Sequence, residues 1–132
     1  GDRYWRKFSP LPGVEVEVTV TPDFPAHRRE YLITTGRPID IADGGFAIPA
    51  EDGDGRPASP GLVEWEPHGV AARFPWAVSA IRCLSSGGEP LLVKAWPNTN
   101  LLHPLTRIPT IRLSLPPGRH RVVTLVTGEW LG

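Results

Sequence analysis

Methionine is missing from this chain, and cysteine occurs once, at Cys83. Without a methionine the 132 residues contain no initiator, so the chain is expected to be a piece of a larger protein with Gly1 at a junction. A lone cysteine excludes an internal disulfide and a thiolate zinc cluster, and it suits a reducing, cytoplasmic compartment. Net charge is absent too, since 14 basic residues cancel 14 acidic ones with no long run of either sign. No field then draws in nucleic acid or an anionic membrane surface, and neither is expected as a partner. No apolar run approaches the roughly 18 residues that span a bilayer, and the first twenty residues have no signal-peptide core. Nor does any stretch keep a 3.6-residue apolar period, so little or no helix is expected.

Turn residues, by contrast, are abundant. The 16 Pro and 14 Gly fall between short apolar runs instead of in one low-complexity block. The clearest run is Val14 to Thr21, where Val14, Val16, Val18 and Val20 alternate with Glu15, Glu17, Thr19 and Thr21. That period of two predicts a half-buried strand with the valines inward. Pro22 and Pro25 bracket a turn into a second strand over 27–35. Gly44 and Gly45 predict a small hairpin joining Ile39–Ala42 to Phe46–Ile48. Ala50 to Gly61 reads as an acidic, mobile surface loop. Strands are expected over Leu62–Glu66, Val70–Phe74 and Trp76–Leu84, and Ser85 to Glu89 predicts a second hairpin into Leu91–Ala95. Alternating Ile111, Leu113 and Leu115, a turn at Pro116 to Gly118 and an apolar strand over Val122–Thr127 complete the chain. Nine or ten short strands with regular turns imply one all-β domain over 1–132, an antiparallel β-sandwich.

Chemistry-bearing residues are sparse. His27, His68, His103 and His120 lie far apart without zinc-site spacing, so no metal is expected. The Asp52–Gly55 segment has Arg56 and Val63 where a calcium loop needs ligands. Two carboxylate pairs stand out, Asp40 with Asp43 and Glu64 with Glu66; the latter flanks an inward Trp65 on one strand face, a pattern that outward solvation explains. No G-x-S-x-G turn exposes a nucleophile. No catalytic residue and no cofactor are assigned. The five tryptophans leave two readings open, core packing or a sugar-stacking platform. Trp65 and Trp76 sit within strand patterns and are expected to be buried, whereas Trp5 and Trp96 beside polar loops are the candidate aromatic contacts. The loop around Asn98, Asn100 and His103 crowds polar groups between leucines, and these three are the candidate interface or ligand residues. Local turn bonding by the asparagines is the plainer alternative.

Five segments in order, SPLPGVEVEVTVTP, TTGRPIDIADGGFAI, RFPWAVSAIRCL, PNTNLLHPLTRIPTI and LPPGRHRVVTLVTGEW, resemble the C-terminal domain of proteins in the domain-of-unknown-function family 2264. That resemblance, strongest in DGGFA and PNTNLLHP, spans Ser9 to Trp130. It implies a parent with a large N-terminal helical toroid, laid out like heparinase-type polysaccharide lyases and glucuronidase-type glycoside hydrolases, acting on uronic-acid glycans. The acid and base would lie on the toroid, so no family catalytic residue maps onto this chain. The expected role is therefore an accessory sandwich whose partner is that toroid, with glycan as a further partner. A free-standing carbohydrate-binding module and a small enzyme are the alternatives.

Overall fold

The computed structural model describes residues 3–47, 62–85, 87–95 and 106–131. Among the described residues ten strands make two antiparallel sheets of unequal width. In chain order they are β1 (Tyr4–Leu11), β2 (Val14–Asp23), β3 (Ala26–Thr35), β4 (Ile39–Gly44), β5 (Leu62–Glu66), β6 (Gly69–Phe74), β7 (Ala77–Cys83), β8 (Glu89–Ala95), β9 (Thr106–Leu115) and β10 (Gly118–Trp130). The wide sheet runs β1-β2-β3-β10-β7-β6-β5, and the narrow one runs β4-β9-β8 across one of its faces.

Alternation decides what lies between the layers. Val14, Val16 and Val18 are buried, as the sequence pattern requires, and Val20 is half-buried where the covering thins. Pairing carries this row across the wide sheet, from Val16 to Ile33 and from Val18 to Tyr31, then on to Val122 of β10. From the narrow sheet Ile111, Leu113 and Leu115 close on the same core, together with Ile81, Val126 and Val70. A second small cluster, Ala72 and Phe74 with Trp76 and Leu92, fills the end under β8. Ile111 and Val126 are completely enclosed.

Local chemistry sets the turns within the wide sheet. Pro12 and Gly13 join β1 to β2; the pyrrolidine presets one turn dihedral and Gly13, at φ +79°, adopts a left-handed conformation costly to other residues.

Several expected connections are drawn differently. β4 pairs with β9, about seventy residues away, and not with the 46–48 segment; Gly45 to Ala47 lie outside any strand, and Ile48 lies outside the described residues. β7 and β8 do not form a hairpin, because β7 pairs with β6 and β10 while β8 crosses to the narrow sheet. β1 had no sequence signal: it is an edge strand exposed along its whole length, so no buried face imposes alternation. The loop over 50–61 lies outside the described residues.

Three strands cannot cover seven. At one edge Tyr4, Phe8 and Leu11 of β1 stay exposed, with the Arg6 guanidinium 5.2 Å from the Phe8 ring centre. At the other, Trp65 shares the inner-face register of Val70 yet is 55% exposed, because β5 lies beyond the reach of the narrow sheet. This corrects the expectation of a buried Trp65; Trp76, half-buried, comes closer to it. Glu64 and Glu66 do face outward, and each pairs with an arginine: Glu64 with Arg73 at 2.7 Å and Glu66 with Arg82 at 2.8 Å. All four groups are about half exposed, so these pairs add little stability.

Replacing Ile111 by alanine is expected to lower the unfolding free energy by about 2–5 kcal/mol. Glu17→Gln on the outer face should stay within about 0.5 kcal/mol of the parent. Urea unfolding of both variants checks the layer assignment, and equal midpoints would contradict it.

Candidate functional site

The inner row of β4 reads Ile39, Ile41, Asp43. A carboxylate in the third core-facing position must be satisfied where it stands, since burial of an unpaired charge is costly. The wide sheet supplies the partners. On β3 the inner row changes from apolar to polar toward its start, through Ile33, Tyr31, Arg29 and His27, and β10 sets Thr124 beside Arg29.

The arms converge on one group. Tyr31 donates its hydroxyl to Asp43 Oδ1 at 2.8 Å, and Thr124 donates to Oδ2 at 2.6 Å. Arg29 Nη1 donates to Oδ1 at 2.8 Å and also to the Gly44 carbonyl at 2.8 Å. Arg29 Nε reaches back to His27 Nε2 at 2.9 Å. Because Nε2 accepts that bond, the imidazole is neutral with its proton on Nδ1. Burial and the adjacent Arg29 cation hold His27 below the ordinary histidine range, against a smaller opposing pull from Asp43. Burial, then the Asp43 charge, pushes the Tyr31 phenol well above its usual range. Tyr31 therefore serves as a fixed hydroxyl donor and not as an acid or base.

The cluster has no idle member. Each Asp43 oxygen is bonded, and no buried side-chain polar atom among the described residues lacks a partner. The arrangement suits a clamp between layers, and its one hydroxyl beside the carboxylate, Thr124, is completely enclosed. From the sequence alone Asp43 reads only as half of a carboxylate pair with Asp40. Asp40 instead faces out and accepts a hydrogen bond from Ser114. The available signal was the polar His27, Arg29 and Tyr31 occupying one face of an otherwise core-forming strand.

Beyond Asp43 the chain turns through Gly44 and Gly45 to Phe46. Gly45 N donates to the Pro109 carbonyl at 2.8 Å, and Ser79 Oγ donates to the Phe46 carbonyl at 2.7 Å. The Phe46 ring meets the edge of His27, with centres 5.7 Å apart, and rests on Gly128, where any Cβ would collide with it.

Of the residues singled out from sequence, Trp5 is on the described surface: it lies on the outer face of β1 and is 60% exposed. Trp96, Asn98, Asn100 and His103 lie outside the described residues. His68 contacts the Gly88 carbonyl at 2.9 Å and His120 the Pro116 carbonyl at 2.6 Å. Among the described residues no three His, Cys, Asp or Glu side chains could hold a metal ion, and no helix is long and apolar enough to cross a membrane.

No family model matches the chain, and no curated protein matches it. Among solved structures it is similar to one described as "Putative kojibiose phosphorylase from human microbiome", with a TM-score of 0.53 at 10% identity. The match covers 97% of this chain and 18% of that one, so this chain corresponds to under a fifth of its neighbour's length. At that identity the likeness concerns the fold.

Asp43→Asn removes the charge opposite Arg29 and turns an all-acceptor group into one that is half donor. It is expected to destabilise the chain by about 1–3 kcal/mol in urea unfolding, and an unchanged midpoint would dismiss the clamp. The His27 shift gives a second test with a definite sign. The folded chain holds this proton less tightly than the unfolded chain, so stability is lost as pH falls through the unfolded value near 6.5. The stability difference between pH 7.5 and 5.5 should shrink in His27→Gln; an unaltered pH dependence would contradict the neutral imidazole.

Proposed function

We propose that this chain is a non-catalytic accessory β-sandwich of a larger carbohydrate-active enzyme, packed against the enzyme's helical catalytic domain. One observation carries the reading: nearly the whole chain superposes on a minor portion of a much longer protein described as a "Putative kojibiose phosphorylase". The described residues are consistent with an auxiliary role, because their best-organised polar cluster is spent on holding two sheets together. The β1 ledge of Tyr4, Phe8 and Leu11 offers an apolar strip of the kind domains bury against one another. The resemblance of DGGFA and PNTNLLHP to the domain-of-unknown-function family 2264 supports the same placement, with the parent acting on glycans through groups on its toroid. Asn98, Asn100 and His103 remain the proposed loop at that seam.

Accessory status makes a clear expectation for the isolated chain. Incubated with glucose disaccharides, with or without inorganic phosphate, and with uronic-acid glycans, it should release no sugar above a heat-killed control. Turnover that disappears on a single substitution in this chain would overturn the proposal.

A further inference from the structure

On one side β10 outruns its neighbour. Its pairing with β3 covers Gly118–Thr127, whereas its pairing with β7 begins only at Thr124, opposite Cys83. There the chain leaves the wide sheet: Leu84 N donates to the Val123 carbonyl at 2.7 Å, Val123 N donates to the Ser85 hydroxyl at 3.1 Å, and the path continues through Gly87 and Gly88 into β8. Backbone groups two residues apart on a strand point to the same side. The N–H and C=O of Arg119 and Arg121 therefore point as those of Val123 do, along the line that β7 has left, while those of His120 and Val122 turn to β3. Among the described residues no strand pairs with that edge. It opens on a notch of about 570 Å³ lined by Gly87, Gly88, Ser114, Arg119 and Arg121 among others.

Register decides what a strand laid along this edge would meet. Arg119 and Arg121 lie on the outer face, opposite Thr34 and Leu32 of β3, and both are exposed. Side chains directly opposite on adjacent strands lie about 5 Å apart. Arg121 meets Glu30 on the β3 side at 3.1 and 3.3 Å, and among the described residues no carboxylate stands within salt-bridge distance of Arg119. Glu15, on the same face, is two strands away across Thr34. Arg112 faces out from the narrow sheet in register with Glu89 and adds nothing to this edge. On the inner side the notch is lined by Leu113, Leu115 and Val122. An added strand thus turns its outward residues to cations and its inward residues to aliphatic groups. A second copy paired here antiparallel would set arginine against arginine, and like charges directly opposite are destabilising.

We propose that the free edge of β10 over Gly118–Val122 is a docking site for an extended segment of a partner protein in which acidic residues alternate with apolar ones, added to the wide sheet as a short antiparallel strand in the line of β7. Main-chain hydrogen bonds to Arg119 and Arg121 would hold the segment, and its alternation would select it. This edge does not depend on the accessory role proposed above.

The test follows the amide resonances and hydrogen exchange of the isotope-labelled chain, with the capped pentapeptide Glu-Val-Glu-Val-Glu as the probe. In the free chain the Arg119 and Arg121 amides should exchange fast and those of His120 and Val122 slowly. The peptide should shift the first two saturably and slow their exchange at least about tenfold. Methylating the nitrogen of its central glutamate keeps every charge and removes a backbone donor, which should weaken binding at least about tenfold. Lys-Val-Lys-Val-Lys should bind at least about fivefold more weakly than the acidic peptide, a gap that Arg119→Glu closes while the other resonances stay in place. Slow exchange of Arg119 and Arg121 in the free chain, shifts centred on β1 or β5, equal affinity of the methylated peptide, or equal affinity of the lysine peptide would each overturn the site. Chondroitin sulfate shifting the same amides at equal or higher affinity would make the notch a general polyanion site and overturn it too.

Discussion

A three-stranded sheet covering a seven-stranded one is the constraint on which the rest of this structure depends. The narrow layer can bury only the middle of the wide one. Where it reaches, the inner rows of both sheets make a continuous core around Ile111 and Val126. Where it does not, aromatic and aliphatic side chains on the same inner face remain in solvent. Tyr4 and Phe8 at one edge, Trp65 at the other and Trp130 at the end of β10 follow from that geometry.

Such a layer must also be seated in one position, since sliding along a pleated surface would exchange one apolar contact for another at small cost. Hydrophobic burial has little directionality, and the Asp43 cluster supplies it. One carboxylate on the narrow sheet takes hydrogen bonds from Tyr31, Arg29 and Thr124 on two strands of the wide sheet, so a shift of one residue would leave a buried charge unpaired. Gly44 and Gly45 continue directly from this anchor to Phe46, whose ring is seated on Gly128. The anchor and the Phe46 ring are therefore linked through four consecutive positions of chain, Asp43 to Phe46.

The strands themselves were largely legible in the sequence. Alternation gave the valine row of β2, and short apolar runs between prolines and glycines gave β5, β6 and β7. Partners were not legible, because pairing of β4 with β9 depends on sheet order across some seventy residues, and a local turn signal at Gly44 and Gly45 pointed to a hairpin that the fold replaces with a crossover. β1 escaped notice because an exposed edge strand has no face that selects for alternation. Trp65 shows a subtler gap: its direction toward the inner face follows from the pattern, but burial also requires a neighbour opposite, and none of the described residues covers it. The Asp43 cluster was visible only as unlike residues, His27, Arg29, Tyr31 and Asp43, whose meeting is a property of the tertiary structure.

The central claim, that one polar cluster fixes how the two layers sit, is tested most directly by a double-mutant cycle between Tyr31 on the wide sheet and Asp43 on the narrow one. Tyr31→Phe, Asp43→Asn and the double variant are compared with the parent by urea unfolding. A shared cross-layer bond predicts that the two single losses exceed the loss in the double variant, with a coupling energy of about 0.5–3 kcal/mol. Losses that simply add, to within roughly 0.3–0.5 kcal/mol, would contradict it.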